Sequence, residues 1–139
     1  MTLAEKQQRL HDDLCFIEDP QERLALVVAR AKKLPLLAEP ERTDANRVRG
    51  CVSLVYVVGA LAPDGTCRFR CEANSPLVLG LVALLCDFFH GATPAEIAAS
   101  DADPLEALGL TRHLSPTRRH GLASARARLR AFAQSHVSP

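Results

Sequence analysis

The chain has 139 residues, enough for one domain with a core of its own that needs no metal or disulfide staples. Its 17 basic and 16 acidic residues leave a net charge of +1, so charge alone argues for neither a nucleic-acid binder nor an acidic partner. Five cysteines, an odd count, follow a start (Met1-Thr2-Leu3-Ala4-Glu5-Lys6) that lacks a signal-peptide pattern; both features point to free thiols in a reducing compartment, the cytoplasm.

In chain order, Leu3, Leu10, Leu14 and Ile17 follow a loose helical period. Leu24, Val27, Val28 and Ala31 then recur at i, i+3, i+4, i+7. Lys32 and Lys33 suit the C-terminal end of that second helix, and Pro35 stops it. Residues 35–46 read as a loop. From Cys51 to Leu61 the chain is mostly β-branched and apolar, which predicts a strand, and Pro63-Asp64-Gly65 predicts a turn. Cys67, Phe69 and Cys71 alternate with Arg68, Arg70 and Glu72, so a second strand with one buried face returns antiparallel to the first.

Leu77 to Phe89 predicts a central helix closed by Gly91. The apolar run from Pro76 to Phe89, about 21 Å long as a helix, is short of the ~30 Å hydrocarbon core of a membrane and reads as buried in protein. Short helical segments follow near 94–99 and 104–108. A last helix runs from Pro116 to about Phe132, with Leu122, Ala125, Leu129 and Phe132 facing inward. Five starts are marked by a capping side chain before proline: Asp19-Pro20, Ser75-Pro76, Thr93-Pro94, Asp103-Pro104 and Ser115-Pro116. Glu22, Glu96 and Glu106 add the third-position partner of a capping box. Helices, a hairpin, then helices predict an α+β fold: one domain over residues 1–139, with a small antiparallel sheet packed by N- and C-terminal helices.

Among groups able to do chemistry, Cys67 and Cys71 lie four apart on a strand, about 13 Å at strand rise, too far for a disulfide. With Cys86 and Cys15 they read as small core hydrophobes. No second close pair completes a zinc site, and His113 and His120 are seven apart. Cys51 differs. It follows Asn46-Arg47-Val48-Arg49-Gly50 at the edge of a polar loop, Gly50 permits unusual backbone angles, and Arg47 and Arg49 place positive charge that favours thiolate. Arg118, Arg119, Arg126, Arg128 and Arg130 make the last helix basic. With six aromatic residues in the chain, a solvated face is favoured over nucleic-acid binding.

The run Leu34-Pro35…Glu41-Arg42…Asn46-Arg47-Val48-Arg49-Gly50-Cys51-Val52-Ser53-Leu54-Val55-Tyr56 resembles the SufE/CsdE sulfur acceptors. The resemblance continues at Gly80-Leu81 and at Leu110…Leu114-Ser115-Pro116-Thr117-Arg118…Gly121-Leu122. It implies a fold shared with IscU-type scaffolds and a non-enzymatic role: Cys51 takes sulfur as a persulfide from a SufS/CsdA-type cysteine desulfurase, stimulates that enzyme, and passes the sulfur to a SufBCD-type scaffold for iron–sulfur cluster assembly. It implies no cofactor, the PLP being the partner's; the charge balance, few aromatic residues and short apolar run above argue against a nucleic-acid or membrane partner. It assigns Arg118 near the acceptor, and Asn46, Arg47 and Gly50 to shaping its loop. Three positions depart from the common pattern: Val52 and Leu79, where polar and basic residues are usual, and Asn74, where aspartate is usual. An IscU-like iron–sulfur or zinc-binding scaffold is the alternative, and a homodimer stays open.

Overall fold

The computed structural model describes residues 2–34, 37–51 and 53–137; Pro35 and Val52 of the sequence argument lie outside them. Six helices and one hairpin follow in the order α1 (Leu3–Leu14), α2 (Pro20–Ala31), β1 (Val55–Leu61), β2 (Cys67–Ala73), α3 (Pro76–Phe89), α4 (Pro94–Ala99), α5 (Pro104–Ala107) and α6 (Pro116–Ser135). Two single 3-10 turns, Glu39–Glu41 and Asp44–Asn46, fill the loop before β1. The fold is α+β, with β1 and β2 antiparallel and Gly59 opposite Phe69.

Each of the five Xaa-Pro starts is a helix N-terminus with its capping side chain in place, because a cap needs only its own two or three neighbours. The expected capping boxes at Glu22 and Glu106 do not close. Asp19 accepts from the Gln21 N–H and Asp103 from the Glu106 N–H, with no return bond from either glutamate. Thr93–Glu96 does close, and so does a box at Thr2–Glu5 that the proline pattern could not mark.

α3 is the hub. It touches α1, α2, α5, α6 and β2, and Leu81, Val82, Leu85, Phe88 and Phe89 are all almost fully buried. Phe88 and Phe89 pack edge to face with centroids 4.9 Å apart. Gly80 lets α2 approach closely: a Cβ there would come within 2.9 Å of Val28 Cα. At the C-terminal end of α3, Lys6 donates to the carbonyls of Asp87, Phe88 and His90, placing a cation where the helix leaves acceptors unpaired. Among the described residues no helix is long and apolar enough to cross a membrane.

β2 buries Cys67, Phe69 and Cys71 and exposes the arginines between them, as the alternation predicts. Its outer edge is occupied near the turn. The Cys67 N–H donates to Ala92 O at 2.8 Å, the Gly91 N–H donates to Cys67 O, and His90 Nδ1 accepts from the Phe69 N–H. β1 begins at Val55, four residues later than expected from its apolar composition. What pairs with its outer edge there is the chain just before it: Arg47 bridges Tyr56, and the Val48 N–H donates to Val55 O at 2.8 Å. The segment between, with Cys51, is therefore a closed loop standing off the sheet.

α6 extends three residues beyond the expected end and carries Leu122, Ala125 and Leu129 into the core, with Phe132 edge-on to Phe69 at 5.5 Å. Arg118 and Arg119 are exposed, as expected from sequence, but the other three arginines of the basic face are half-buried and carbonyl-bound. Arg126 donates to the carbonyls of Ala102 and Asp101, Arg128 to Ala45 O, and Arg130 to Ala98 O. α6 thereby pins the 98–102 segment and the stem of the Cys51 loop.

Candidate functional site

The Cys51 loop is tied at both ends. On the incoming side Asn46 donates to Glu41 O at 2.9 Å and Arg128 holds Ala45. On the outgoing side Asn74 meets Leu54 twice, its N–H donating to Leu54 O and its Oδ1 accepting the Leu54 N–H, each at 3.1 Å. Between these anchors Gly50 has φ +86°, a left-handed conformation that favours glycine.

The loop packs closely on α6. A Cβ on Gly50 would sit 2.9 Å from Ser124 Oγ and 3.3 Å from His120 Nε2. One residue on, the Cys51 thiol donates to Gly121 O at 3.3 Å. Beside the sulfur opens a pocket of about 190 Å³, lined by Ser53, Val78, Ser115, Thr117, Arg118 and Leu122. Its lining mixes hydroxyls and a guanidinium with apolar side chains, so the sulfur is half-sheltered and shares its pocket with a cation.

The electrostatics differ from the sequence expectation. Two arginines next in sequence argue for a low thiol pKa. Burial dominates, however, and pushes the Cys51 thiol above its ordinary range, with Arg47 pulling it back only in part. Arg49 is exposed and is not among the charges acting on Cys51. Asn46 braces the stem through its side-chain amide. Arg118, in the first turn of α6, reaches the pocket, and the carbonyl-bound Arg126, Arg128 and Arg130 do not line it.

All five cysteines are free. Cys71 and Cys86, on β2 and α3, neighbour each other in the core, where the adjacent Cys71 thiol and burial push the Cys86 thiol up. Sequence reasoning did not pair them, since they lie on different elements. Nor did it give a physical role to Asn74 or Gly121. The available signal for Gly121 was a glycine inside an otherwise alanine-rich helix, which usually marks a close approach. Among the described residues no three His, Cys, Asp or Glu side chains gather as metal ligands would.

Comparison with known proteins shows the family of the chain. The family model SufE, described as an Fe-S metabolism associated domain, matches residues 8–133. An uncharacterized SufE-like protein of Rhizobium meliloti is 35% identical over 130 residues, which is 91% of this chain and 93% of that protein. Another from Synechocystis is 40% identical over 103 residues, 74% of this chain and 64% of its own length. In fold, the chain resembles the solution structure of a hypothetical protein from Thermus thermophilus, with a TM-score of 0.76 at 20% identity over 94% of this chain and 95% of the other. The chain is thus a member of the SufE family, whose domain is associated with iron–sulfur metabolism.

Proposed function

We propose that Cys51 accepts sulfur from a SufS/CsdA-type cysteine desulfurase, carries it as a persulfide and delivers it for iron–sulfur cluster assembly. The observation that carries this reading is positional. Of the five cysteines, Cys51 is the one that follows a left-handed glycine, Gly50, in a loop, and it lies beside a pocket that Arg118 also lines. Cys67, Cys71 and Cys86 are core side chains, and Cys15 packs at the core's margin.

The exchange balances without an added oxidant. Cys51, as thiolate, attacks the outer sulfur of the desulfurase's cysteine persulfide. A new S–S bond forms to Cys51, the donor's S–S bond breaks, and the donor's inner sulfur leaves as a thiolate that takes up a proton. The same exchange in the next step hands the outer sulfur to a SufBCD-type scaffold. Arg118 and Arg47 would lower the energy of the charge that develops on sulfur. In this reading the C–S bond is cleaved by the partner desulfurase with its PLP, and this chain only receives the sulfur. In the free protein the closed loop keeps the thiol protonated and its cargo beside the pocket. Docking would draw the loop out about Gly50 and return Cys51 to an ordinary acidity. A reducing compartment such as the cytoplasm suits five free thiols.

The rival reading, an IscU-like scaffold or zinc module, needs three or four converging ligands. Cys51 has no such companions among the described residues. The deciding experiment replaces each cysteine by serine and incubates the variants with a desulfurase and cysteine. Mass spectrometry should find one added sulfur on Cys51 in every variant that retains it. Cys51→Ser should lose both the added sulfur and the stimulation of the desulfurase. Full stimulation by Cys51→Ser, or stoichiometric zinc or iron in the purified protein, would overturn the reading.

A further inference from the structure

We propose that Gly121 is the seat of Cys51: a positioning residue whose missing side chain and carbonyl oxygen together set how often the sulfur leaves the surface of α6. The proposal rests on the reading of Cys51 as the sulfur acceptor.

The first observation is one of space. Gly121 is the sixth residue of a 20-residue helix that is otherwise rich in alanine, and it is buried. Glycine inside a helix is less stable than alanine by about 0.5–1 kcal/mol, so helix propensity alone would place alanine here. A Cβ at Gly121 would lie 3.1 Å from Cys51 Sγ and 3.5 Å from Cys51 Cα. The volume left empty on α6 is the volume that Cys51 fills.

The second observation concerns hydrogen bonding. The Gly121 carbonyl accepts the Cys51 S–H at 3.3 Å. A thiol can donate this bond and a thiolate cannot; the ionised sulfur would face the negative end of a carbonyl dipole instead. The seat therefore selects the protonated form. The charged or titratable groups around it are Arg47 from the loop stem and Arg118 and His120 from α6, while α3 contributes the apolar Val78. Arg47 favours the thiolate, so the holding of the proton comes from burial, and the bond to the carbonyl is open only to the protonated form.

The third observation makes the contact a latch. Gly50, on the other side of the loop, is equally tight on Ser124 and His120. The loop is packed on α6 at both residues, so a methyl group at 121 pushes the sulfur by a few tenths of an ångström, outward or toward the adjacent pocket. Either movement lengthens and weakens the bond to the carbonyl.

The test uses the full-length protein and iodoacetamide, with peptide mass spectrometry reporting Cys51 and Cys15 separately. Gly121→Ala should keep or raise the unfolding midpoint. It should speed Cys51 alkylation roughly tenfold, the population change expected when one methyl overpacks a contact. The larger Gly121→Val should speed it further. The alkylation midpoint in pH should fall toward that of the denatured protein, and a persulfide loaded on Cys51 should be stripped faster by a small thiol. Cys15 should keep its wild-type rate. Wild-type Cys51 rates and pH midpoint in both variants would overturn the assignment, and so would an equal rise at Cys15, which reports general loosening. Alkylation needs no desulfurase, so the seat is decided even if Cys51 proves not to accept sulfur; failure of the persulfide assay with wild-type protein overturns the functional reading separately.

Discussion

Asn74 and Leu54 exchange two hydrogen bonds, one from each backbone N–H, both at 3.1 Å, and this pair closes the outgoing side of the Cys51 loop. A neutral amide oxygen accepts here, a weaker acceptor than a carboxylate. Asn74→Ala removes the side-chain bond from a solvent-exposed position, so the cost to folding is small, about 0.5–1.5 kcal/mol. The loop should open more often, seen as faster amide exchange at Leu54 and faster alkylation of Cys51. Asn74→Asp should slow both relative to wild type. Exchange at Leu54 that ignores both substitutions would show that the loop is held elsewhere.

Arg118 and Arg119 are adjacent in sequence and face different cavities. Arg118 lines the pocket of Cys51, and Arg119 lines one with Asp103 and Glu106. A cation in the first turn of a helix is disfavoured by about 0.3–1 kcal/mol, so losing Arg118 should leave the unfolding midpoint unchanged or slightly higher. Sulfur acceptance by Cys51 should fall roughly tenfold in Arg118→Ala, the scale of one charge-assisted contact. Arg119→Ala should transfer at the wild-type rate. Equal losses in the two variants would trace the effect to general charge and not to the pocket.

Closure of the loop should depend on pH through Cys51. Burial raises the thiol's pKa in the closed state, with Arg47 opposing. A raised pKa means that the protonated form favours closure. That contribution is complete below the ordinary thiol value of 9.0 and is lost as pH rises through the closed-state value. Alkylation of Cys51 followed from about pH 7 to about pH 10 should show a midpoint above that of the same thiol in denaturant. Arg47→Ala should move it higher still. A midpoint at or below the denatured value would contradict the closed, protonated state.

What was legible in the sequence was local. Asp19, Ser75, Thr93, Asp103 and Ser115 announce their helices because a cap and a proline act over two or three residues. The alternation in β2 shows its buried face because side-chain direction alternates strictly along a strand. What was illegible depended on distant partners. The start of β1 is set by where Arg47 and Val48 pair, not by composition, which runs on through Cys51. The acidity of Cys51 looked raised by its neighbours, yet burial lowers it, and the helix it packs on lies seventy residues away. Arg126, Arg128 and Arg130 looked solvated because their carbonyl partners lie in other segments.

The two ends of the hairpin's outer edges have a consequence for association. A two-stranded sheet normally offers unpaired backbone groups to any passing strand. Here the β2 edge near the turn is filled by residues 90–92, and the β1 edge near Val55 by the chain's own residues 47 and 48. The stem that presents Cys51 thus also keeps foreign strands from zipping onto the sheet. A loop that swung out between Val48 and Val55, as proposed for docking, would leave that guard in place and expose Cys51 without exposing a sticky edge.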